Sequence, residues 1–425
     1  MQRLNQSECL RYEGRWKIYW WGGRRDEGVI REIERFPSLV ELPNVMDGVE
    51  ILTGQGYKES NQALDADWLS EYQELPARKF QRYGRITESD LVSVPPRVER
   101  RGVREIYEGA RLLLSQGVRV IDSIVARLET SPFCFRSSIN GVRLDGLAQW
   151  QQSVILGIFW SSLAKYYFWL TAGSWGTWHD QLHLHIAERM PIAFPKHTKL
   201  RERIVQEVEK LRATTLAHGD ARLAKMEDSL DEAIFDLYEL DEAERDLVRD
   251  MCNVGLDFFQ NRSESAAVAP ATLPSVSCGL MSDLPRERVD GLTGYLQVFL
   301  RHWNADLAPD GELAWEIIPG PGSAPVLAAL FFTVPAGERP ILVNRDAAWA
   351  DVLDRIGRAS LVPAEARHTI YVDTFVRAVS EHEILIIKRN ETRFWTRSAA
   401  LADADASVAQ AMSIAEAMSI VEQKI

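Results

Sequence analysis

The sequence predicts a mixed α+β protein in which a β-rich first half is followed by a helical middle and a small C-terminal α/β domain. Three observations support this order. Short apolar runs separated by turn residues dominate residues 13–145, apolar residues spaced three and four apart follow to about residue 262, and both patterns alternate after residue 286. A chain of 425 residues with 46% hydrophobic content can build two or three domains.

The first 145 residues are expected to consist of strands and loops. Residues 1–47 form a predicted β-rich segment, because runs such as RWKIYWWGG end in turn residues. The next domain is expected to cover residues 48–195, with Gly54 and Gly56 in a tight turn. Its further strands are predicted at residues 111–114, 118–125 and 133–138.

The most apolar stretch, VILGIFWSSLAKYYFWLTAG at residues 154–173, is about as long as a membrane span. Lys165 near its middle would cost about 2.5–3.5 kcal/mol at the centre of a bilayer. Leu156, Phe159 and Leu163 recur at helical spacing. We therefore expect a buried helix and no membrane partner.

The cellular compartment is predicted from the N-terminus and the cysteines. The N-terminus carries charges where a signal peptide has an apolar core. The four cysteines form no Cys-x-x-Cys pair and no disulfide framework. A cytoplasmic location is expected.

Residues 196–262 are interpreted as a helical spacer that docks a partner. One amphipathic helix starts near residue 200, a second covers residues 222–240, and Asp241 with Glu244 has the spacing of a capping box that opens a third. The apolar face of the first helix contains Leu200, Ile204, Val208 and Leu211.

The rest of the chain is divided into a linker, a domain and a tail. Residues 263–285, rich in Ala, Ser and Pro, are interpreted as a linker, residues 286–398 as an α/β domain, and residues 399–425 as a helical tail. The domain is expected to have helices at 293–303 and 347–356, and strands at 313–318, 326–334, 369–375 and 383–388. The side chains expected to dock the tail are Val408, Met412, Ile414, Ala415, Met418 and Val421.

Charge is unevenly distributed along the chain, whose net charge is −12. Residues 76–145 contain 13 Lys and Arg against 8 Asp and Glu, whereas residues 225–263 contain 4 against 12. An acidic protein with one basic β-rich segment fits a localised nucleic-acid surface better than nonspecific coating of DNA.

The sequence lacks the motifs of several enzyme classes. No Walker lysine loop is present, and the only Pro-Pro pair, at Pro95 and Pro96, lacks the Asp or Asn that an amino-methylating loop requires. We expect no catalytic residue in this chain.

Two groups of side chains could instead hold a metal. His179 and His183 are one helical turn apart and Asp180 could join them, but without a fourth ligand or a nearby Glu base this cluster, which ends at His185, is interpreted as structural. Asp373, Glu383 and Lys388 could serve a nuclease. Glu383 and Lys388 are an odd number of residues apart, however, so on a strand they face opposite ways. No metal is expected.

Several stretches, kept in order over residues 48–259, resemble the target recognition domains of N6-adenine DNA methyltransferases. These enzymes belong to Type IIG and related restriction-modification and phage-defence systems. The stretches are GVEILTGQG at 48–56, EGARLLLSQGV at 108–118, FCFRSSI at 133–139, SSLAKYYFWL at 161–170, SWG at 174–176, RMPI at 189–192 and LDEAIFDLYELDEAER at 230–245.

The resemblance implies a DNA specificity subunit without the catalytic domain, similar to the separate specificity subunit of Type I systems. Its partners would be double-stranded DNA, a separate adenine methyltransferase and other defence-system subunits. S-adenosylmethionine would bind the methyltransferase, and this chain would bind no cofactor. The residues expected to contact DNA are Gln55, Tyr57, Lys58, Lys79, Arg82, Arg85, Arg97, Arg100, Arg101, Arg104, Arg119, Arg136 and Arg143.

Two other functions remain open at this point. The chain could be a metal-dependent nuclease that uses the histidines at 179–185 or the C-terminal carboxylates. It could also be a scaffold of a defence complex that binds proteins and no DNA. Metal content distinguishes the first alternative, and the salt dependence of DNA binding distinguishes the second.

Overall fold

The computed structural model describes residues 6–11, 14–117, 123–176, 180–217, 219–322, 324–339, 348–359, 375–380 and 382–422. The chain divides into two compact units, Met1–Val248 and Arg249–Ile425. The structure has about 49% helix and 20% strand, which confirms the mixed α+β class.

The N-terminal segment is helical, so the predicted β-rich segment at residues 1–47 is wrong. Its helices are α1 (Gln6–Arg11), α2 (Gly14–Trp21), α3 (Arg24–Ile33) and α4 (Leu42–Val45). In α3, Val29, Ile30 and Ile33 are buried at helical spacing. The Asp26 carboxylate accepts the backbone N–H of Gly23 at 2.7 Å, which caps the helix. The consecutive aromatic residues of α2 hid this helical pattern.

The β-structure of the first unit forms one four-stranded sheet and two smaller ones. The strands are β1 (Glu50–Gln55), β2 (Leu64–Asp65), β3 (Gln73–Leu75), β4 (Val92–Ser93), β5 (Arg97–Val98), β6 (Arg111–Ser115), β7 (Ala126–Glu129), β8 (Cys134–Phe135) and β9 (Ile139–Asp145). The four-stranded sheet has the antiparallel order β1-β9-β6-β7. Strand β2 pairs with β5, and β3 pairs with β4 and β8.

Three predicted strands of this unit have different outcomes. The strand at 111–114 is confirmed as β6, and the one at 133–138 is shorter, as β8. Residues 118–122 lie outside the described residues, and residues 123–125 are not strand, because β7 begins at Ala126.

The expected tight turn at Gly54 and Gly56 is not present, because Gly54 lies inside β1. A Cβ atom on Gly56 would stand 2.2 Å from the carbonyl oxygen of Phe135. Glycine at position 56 therefore allows two backbone segments to approach closely, and the spacing of glycines alone could not distinguish this from a turn.

The apolar stretch at 154–173 forms two buried helices where one was expected. The helices of this region are α5 (Gln149–Trp160), α6 (Ser162–Thr171), α7 (Leu184–Ala187), α8 (Thr198–Ala213), α9 (Ala221–Leu237) and α10 (Glu242–Asp250). Ser161 is extended and separates α5 from α6. The Asp231 carboxylate accepts the backbone N–H of Ser162 at 2.7 Å and its hydroxyl at 2.5 Å, which caps α6.

Within the described part of the chain, no helix is long and apolar enough to cross a membrane. The predicted helices of the spacer are confirmed as α8, α9 and α10. Ile204, Val208 and Leu211 are buried. The capping box is also confirmed, since Asp241 N–H donates to Glu244 at 2.9 Å and Glu244 N–H donates to Asp241 at 2.8 Å.

The second unit is a five-stranded antiparallel sheet with helices on both faces. Its helices are α11 (Leu256–Asn261), α12 (Gly291–Leu307), α13 (Ala348–Ala359) and α14 (Arg397–Glu422). Its strands are β10 (Cys278–Gly279), β11 (Gly311–Pro319), β12 (Val326–Pro335), β13 (Phe375–Val379) and β14 (Glu383–Arg389), in the order β10-β11-β12-β14-β13. The side chains of α12 and α14 pack on one face, and those of α13 pack on the other.

Most predicted elements of this unit are confirmed, including both helices and the strands that became β11, β12 and β14. The strand expected at 369–375 overlaps β13 only at Phe375, and residues 369–374 lie outside the described residues.

The segment 263–285 is part of the second unit, so its interpretation as a linker is wrong. Ala267, Ala271, Leu280 and Leu284 are buried, and β10 pairs with β11. These apolar residues show no period because they lie in or beside short 3₁₀ turns and in irregular backbone.

The helical tail is confirmed as α14, but its docking face differs from the expected one. Ala400, Asp403, Ala404 and Ser407 are buried, whereas Met412 is 61% exposed. Small side chains and a buried charge form this face, and neither stands out in an apolar pattern. Ile414 packs at the edge of the core, and the side chains of Ala415, Met418 and Val421 lie outside the described part.

Candidate nucleic-acid interface

Residues 56–107 and 133–137, which we call the small lobe, pack around their own apolar core. Tyr57, Leu69, Tyr107 and Phe135 are fully buried there. Strands β2 to β5 and β8 belong to this lobe. Many of the residues expected to contact DNA lie in it, so the fold gathers side chains from two separate stretches of sequence.

The small lobe is not a surface of free positive charge. Residues 56–107 contain nine Lys and Arg and nine Asp and Glu. The excess counted over residues 76–145 arises because that range omits the acids at 59, 65, 67, 71 and 74, which pair with its arginines. Sequence distance concealed these partners.

Lys58 and Arg100 lie directly opposite each other in an isolated antiparallel bridge, and both residues are exposed. The Lys58 ammonium is 2.9 Å from the Glu99 carboxylate. One terminal nitrogen of Arg100 donates to the side-chain oxygen of Gln55 at 3.0 Å. The structure therefore brings Gln55, Lys58 and Arg100 together, as a shared site would require.

Tyr57 is fully buried, so the prediction that it contacts DNA is wrong. Its hydroxyl donates to the buried Glu74 carboxylate, and burial together with that hydrogen bond raises its pKa far above the ordinary value. Arg136, which is 45% exposed, holds the same carboxylate through its Nε at 2.7 Å and also pairs with Glu59. The position after a glycine suggested an exposed loop in the sequence.

Arg97 and Arg101 hold the exposed turn that leads into β2. Arg97 donates to the carbonyl oxygens of Gln62 and Ala63, at 2.9 Å each, and to the Asp65 carboxylate at 3.1 Å. Arg101 donates to the Asp65 carbonyl at 3.0 Å. Both arginines were expected to contact DNA, but Arg97 donates three hydrogen bonds to this turn and Arg101 donates one.

Arg104 forms an ion pair at 2.6 Å with Glu71 and lies over two aromatic rings. Its guanidinium carbon is 5.7 Å from the ring centre of Trp68 and 5.9 Å from that of Tyr72. The side chain is 47% exposed, so part of the cation still faces solvent.

The remaining residues predicted to contact DNA are not part of the site formed by Gln55, Lys58 and Arg100. Arg82 is only 11% exposed, donates to the Trp160 carbonyl and lies 3.4 Å from Glu227, so its contacts are with the protein's own helices. Arg143 is 22% exposed and binds Asp145 at 2.9 Å. Lys79 pairs with Asp90 at 3.1 Å. Arg85 is exposed beside a polar cavity of about 320 Å³, and Arg119 lies outside the described residues.

The two candidate metal groups are only partly described. His179 and Asp373 lie outside the described residues, and the rings of His183 and His185 stack with centres 5.8 Å apart. Among the residues that the structure describes, no group of three or more His, Cys, Asp or Glu could hold a metal ion.

The predicted opposition of Glu383 and Lys388 on one strand is confirmed. Glu383 pairs with Arg355 of α13 on one face of the sheet. Lys388 pairs with Asp403 of α14 on the other.

Sequence reasoning missed the residues at the tip of the turn, Asn61, Gln62 and Leu64. All three are exposed, and Gln62 has a φ of 52°, in the left-handed region. The polar run KESNQ between a glycine and a short apolar segment was the available signal.

Comparison with models of known protein families and with curated proteins finds no match to this chain. A functional proposal therefore depends on the geometry of the small lobe and on the resemblance of the short motifs.

Proposed function

We propose that this chain is a DNA sequence-recognition subunit that places a separate N6-adenine methyltransferase on its target site. The methyltransferase would bind S-adenosylmethionine and flip the target adenine out of the duplex. The small lobe would bind the double helix. The acidic residues at 225–263, 12 against 4 basic, would be repelled by DNA and are left for a protein partner.

One observation carries the proposal: Lys58 and Arg100 are exposed cations placed directly opposite each other. Like charges in such a pair destabilise a β-bridge unless an anion lies between or beside them. One carboxylate serves both cations: Glu99 lies 2.9 Å from Lys58 and attracts Arg100 more weakly, and Arg100 also donates to the neutral oxygen of Gln55. A phosphate group is the anion that this arrangement would accept.

The ion pairs already present in the lobe do not prevent such binding. Lys58 and Arg104 have side chains that are 46% and 47% exposed. Pairs at this exposure contribute about 0–1 kcal/mol each. A DNA phosphate that displaces the carboxylate also releases condensed counterions, which favours the exchange at low salt.

The test is DNA binding by the full chain, measured by fluorescence anisotropy with a labelled 30-base-pair duplex over a range of salt concentrations. The double variant Lys58→Ala/Arg100→Ala should bind at least about tenfold more weakly. Its plot of log affinity against log salt should be shallower by about 1.8, because two phosphate contacts are lost.

Arg222→Ala is the matched control, since Arg222 is 75% exposed, pairs with Asp220 at 2.7 Å and lies in α9, outside the sequence ranges of the small lobe. It should leave affinity and slope unchanged. Equal effects of both variants, or no binding by the unaltered chain at low salt, would contradict the proposal and favour the scaffold function.

A further inference from the structure

The turn at residues 61–64 is the exposed end of the small lobe. Every residue from Ser60 to Asp65 is exposed, and β2 begins at Leu64. Asn61 accepts the Ala63 backbone N–H at 3.3 Å through its side-chain oxygen. The side chain of Gln62 has no hydrogen-bond partner among the described residues.

Side chains of the segment 97–101 form hydrogen bonds to several residues of this turn. Arg97 bonds Gln62, Ala63 and Asp65, and Arg101 bonds the Asp65 carbonyl. The backbone N–H of Asn61 donates to Glu99, which helps to lower the pKa of that carboxyl, although the Lys58 ammonium is the larger cause. Four of the five residues from 61 to 65 thus interact with side chains of the neighbouring segment 97–101.

Gln62 is also held in an unfavourable backbone conformation. A φ of 52° is uncommon for a residue with a Cβ atom. Such conformations persist only where the surroundings enforce them, and they concentrate at functional sites. Here the bond from Arg97 to the Gln62 carbonyl supplies the restraint.

The exposed side chains have the chemistry of base recognition. Asn and Gln amides can donate to and accept from the edge of adenine in the major groove, and an apolar side chain can contact the methyl group of thymine. Asn61, Gln62 and Leu64 supply these groups on a turn fixed in position. Leu64 is 45% exposed although it is apolar.

We propose that the 61–64 turn reads base edges in the major groove and that Arg97 and Arg101 are positioning residues for it, rather than phosphate contacts. The inference rests on the proposed function of DNA recognition. In this view the turn determines which DNA sequence is preferred. Lys58 and Arg100 contribute affinity for DNA of any sequence.

The test is selection from a pool of duplexes that contain a randomised segment, carried out with the full chain. Gln62→Gly removes the amide and keeps a residue that tolerates the left-handed conformation. This variant should keep its affinity for the unselected pool within about twofold. It should lose preference at one or two positions of the selected site, by roughly tenfold per position.

Arg97→Ala separates a positioning role from phosphate contact. If Arg97 is a positioning residue, its replacement should broaden the range of selected sequences. The slope of log affinity against log salt should stay unchanged. A phosphate contact would instead lower the slope by about 0.9 and leave the selected sequence the same, which would overturn the role proposed for Arg97. Gln206→Ala is the control, because Gln206 is an exposed glutamine in α8.

The outcomes distinguish this inference from the function on which it rests. If the unaltered chain selects a sequence and Gln62→Gly selects the same one equally strongly, the inference is wrong and DNA recognition stands. If the unaltered chain binds the pool without any preference, both proposals fail. Circular dichroism of each variant checks that the fold is retained.

Discussion

The small lobe and the second unit both contain clustered ion pairs, but they differ in burial. The Arg97 and Asp65 side chains, 3.1 Å apart, are 53% and 79% exposed. Those of Lys388 and Asp403 are each 7% exposed. The same chemistry therefore has two consequences: an exposed pair costs little to break, whereas a buried pair fixes one arrangement of the chain.

The buried cluster joins two helices and two strands of the second unit. Asp403 of α14 accepts from Tyr295 of α12 at 2.7 Å, from Arg377 of β13 at 2.7 Å and from Lys388 of β14. Burial lowers the pKa of Lys388, and the Asp403 carboxylate opposes that shift. The three hydrogen bonds to Asp403 can form together only when α14 packs in this position.

The largest effect is expected when the Asp403 carboxylate, the anion of this cluster, is removed. Asp403→Asn should lower the free energy of unfolding by about 3–5 kcal/mol, because two buried cations lose their counter-charge. Urea unfolding measures the change. Asp351→Asn, at an exposed position of α13, should change it by less than about 0.5 kcal/mol. A loss below about 1 kcal/mol for Asp403→Asn would show that burial does not distinguish the two regions.

A buried carboxylate in the first unit gives a smaller, pH-dependent effect. Burial raises the pKa of Asp231 from 3.8 to about 6, although hydrogen bonds from Ser162 oppose the rise. Between pH 4 and pH 6 the folded state therefore binds more protons than the unfolded state, and the contribution of Asp231 to stability falls as pH increases.

The stability difference between the unaltered chain and Asp231→Asn should accordingly be about 1 kcal/mol larger at pH 5 than at pH 7.5. Urea unfolding at the two pH values measures it, and pH effects common to both proteins cancel. A difference that does not change with pH would contradict the assignment of a raised pKa.

The smallest expected effect belongs to the exposed pair. A double-mutant cycle with Arg97→Ala and Asp65→Ala should give a coupling energy of about 0.2–1 kcal/mol in unfolding experiments. Two further bonds join Arg97 to backbone carbonyls, so Arg97→Ala alone should cost more than Asp65→Ala. A coupling energy above about 2 kcal/mol would remove the contrast between the two regions.

The sequence predicted the second unit better than the first. Strands β11, β12 and β14 are long apolar runs bounded by turn residues, and their pattern identifies them directly. In the N-terminal segment, consecutive aromatic residues gave the same signal although α2 is a helix. Short 3₁₀ turns in 263–285 gave no period at all.

For the candidate site, the sequence located the basic residues of the small lobe but not the carboxylates that pair with them. Charge counting identified Arg97, Arg101 and Arg136 as basic residues of one segment. Their carboxylate partners are 32 to 77 residues away in sequence, and only the folded chain brings them together. The role proposed for Gln62 depends on a positive φ of 52°, which the residue type does not predict.

The most direct test of the central claim is hydrogen–deuterium exchange of the full chain with and without a saturating duplex at low salt. DNA recognition by the small lobe predicts slower exchange at residues 56–66 and 97–107, and unchanged exchange in α8 and α9. Slower exchange confined to the helices, or no change anywhere at saturation, would contradict the account.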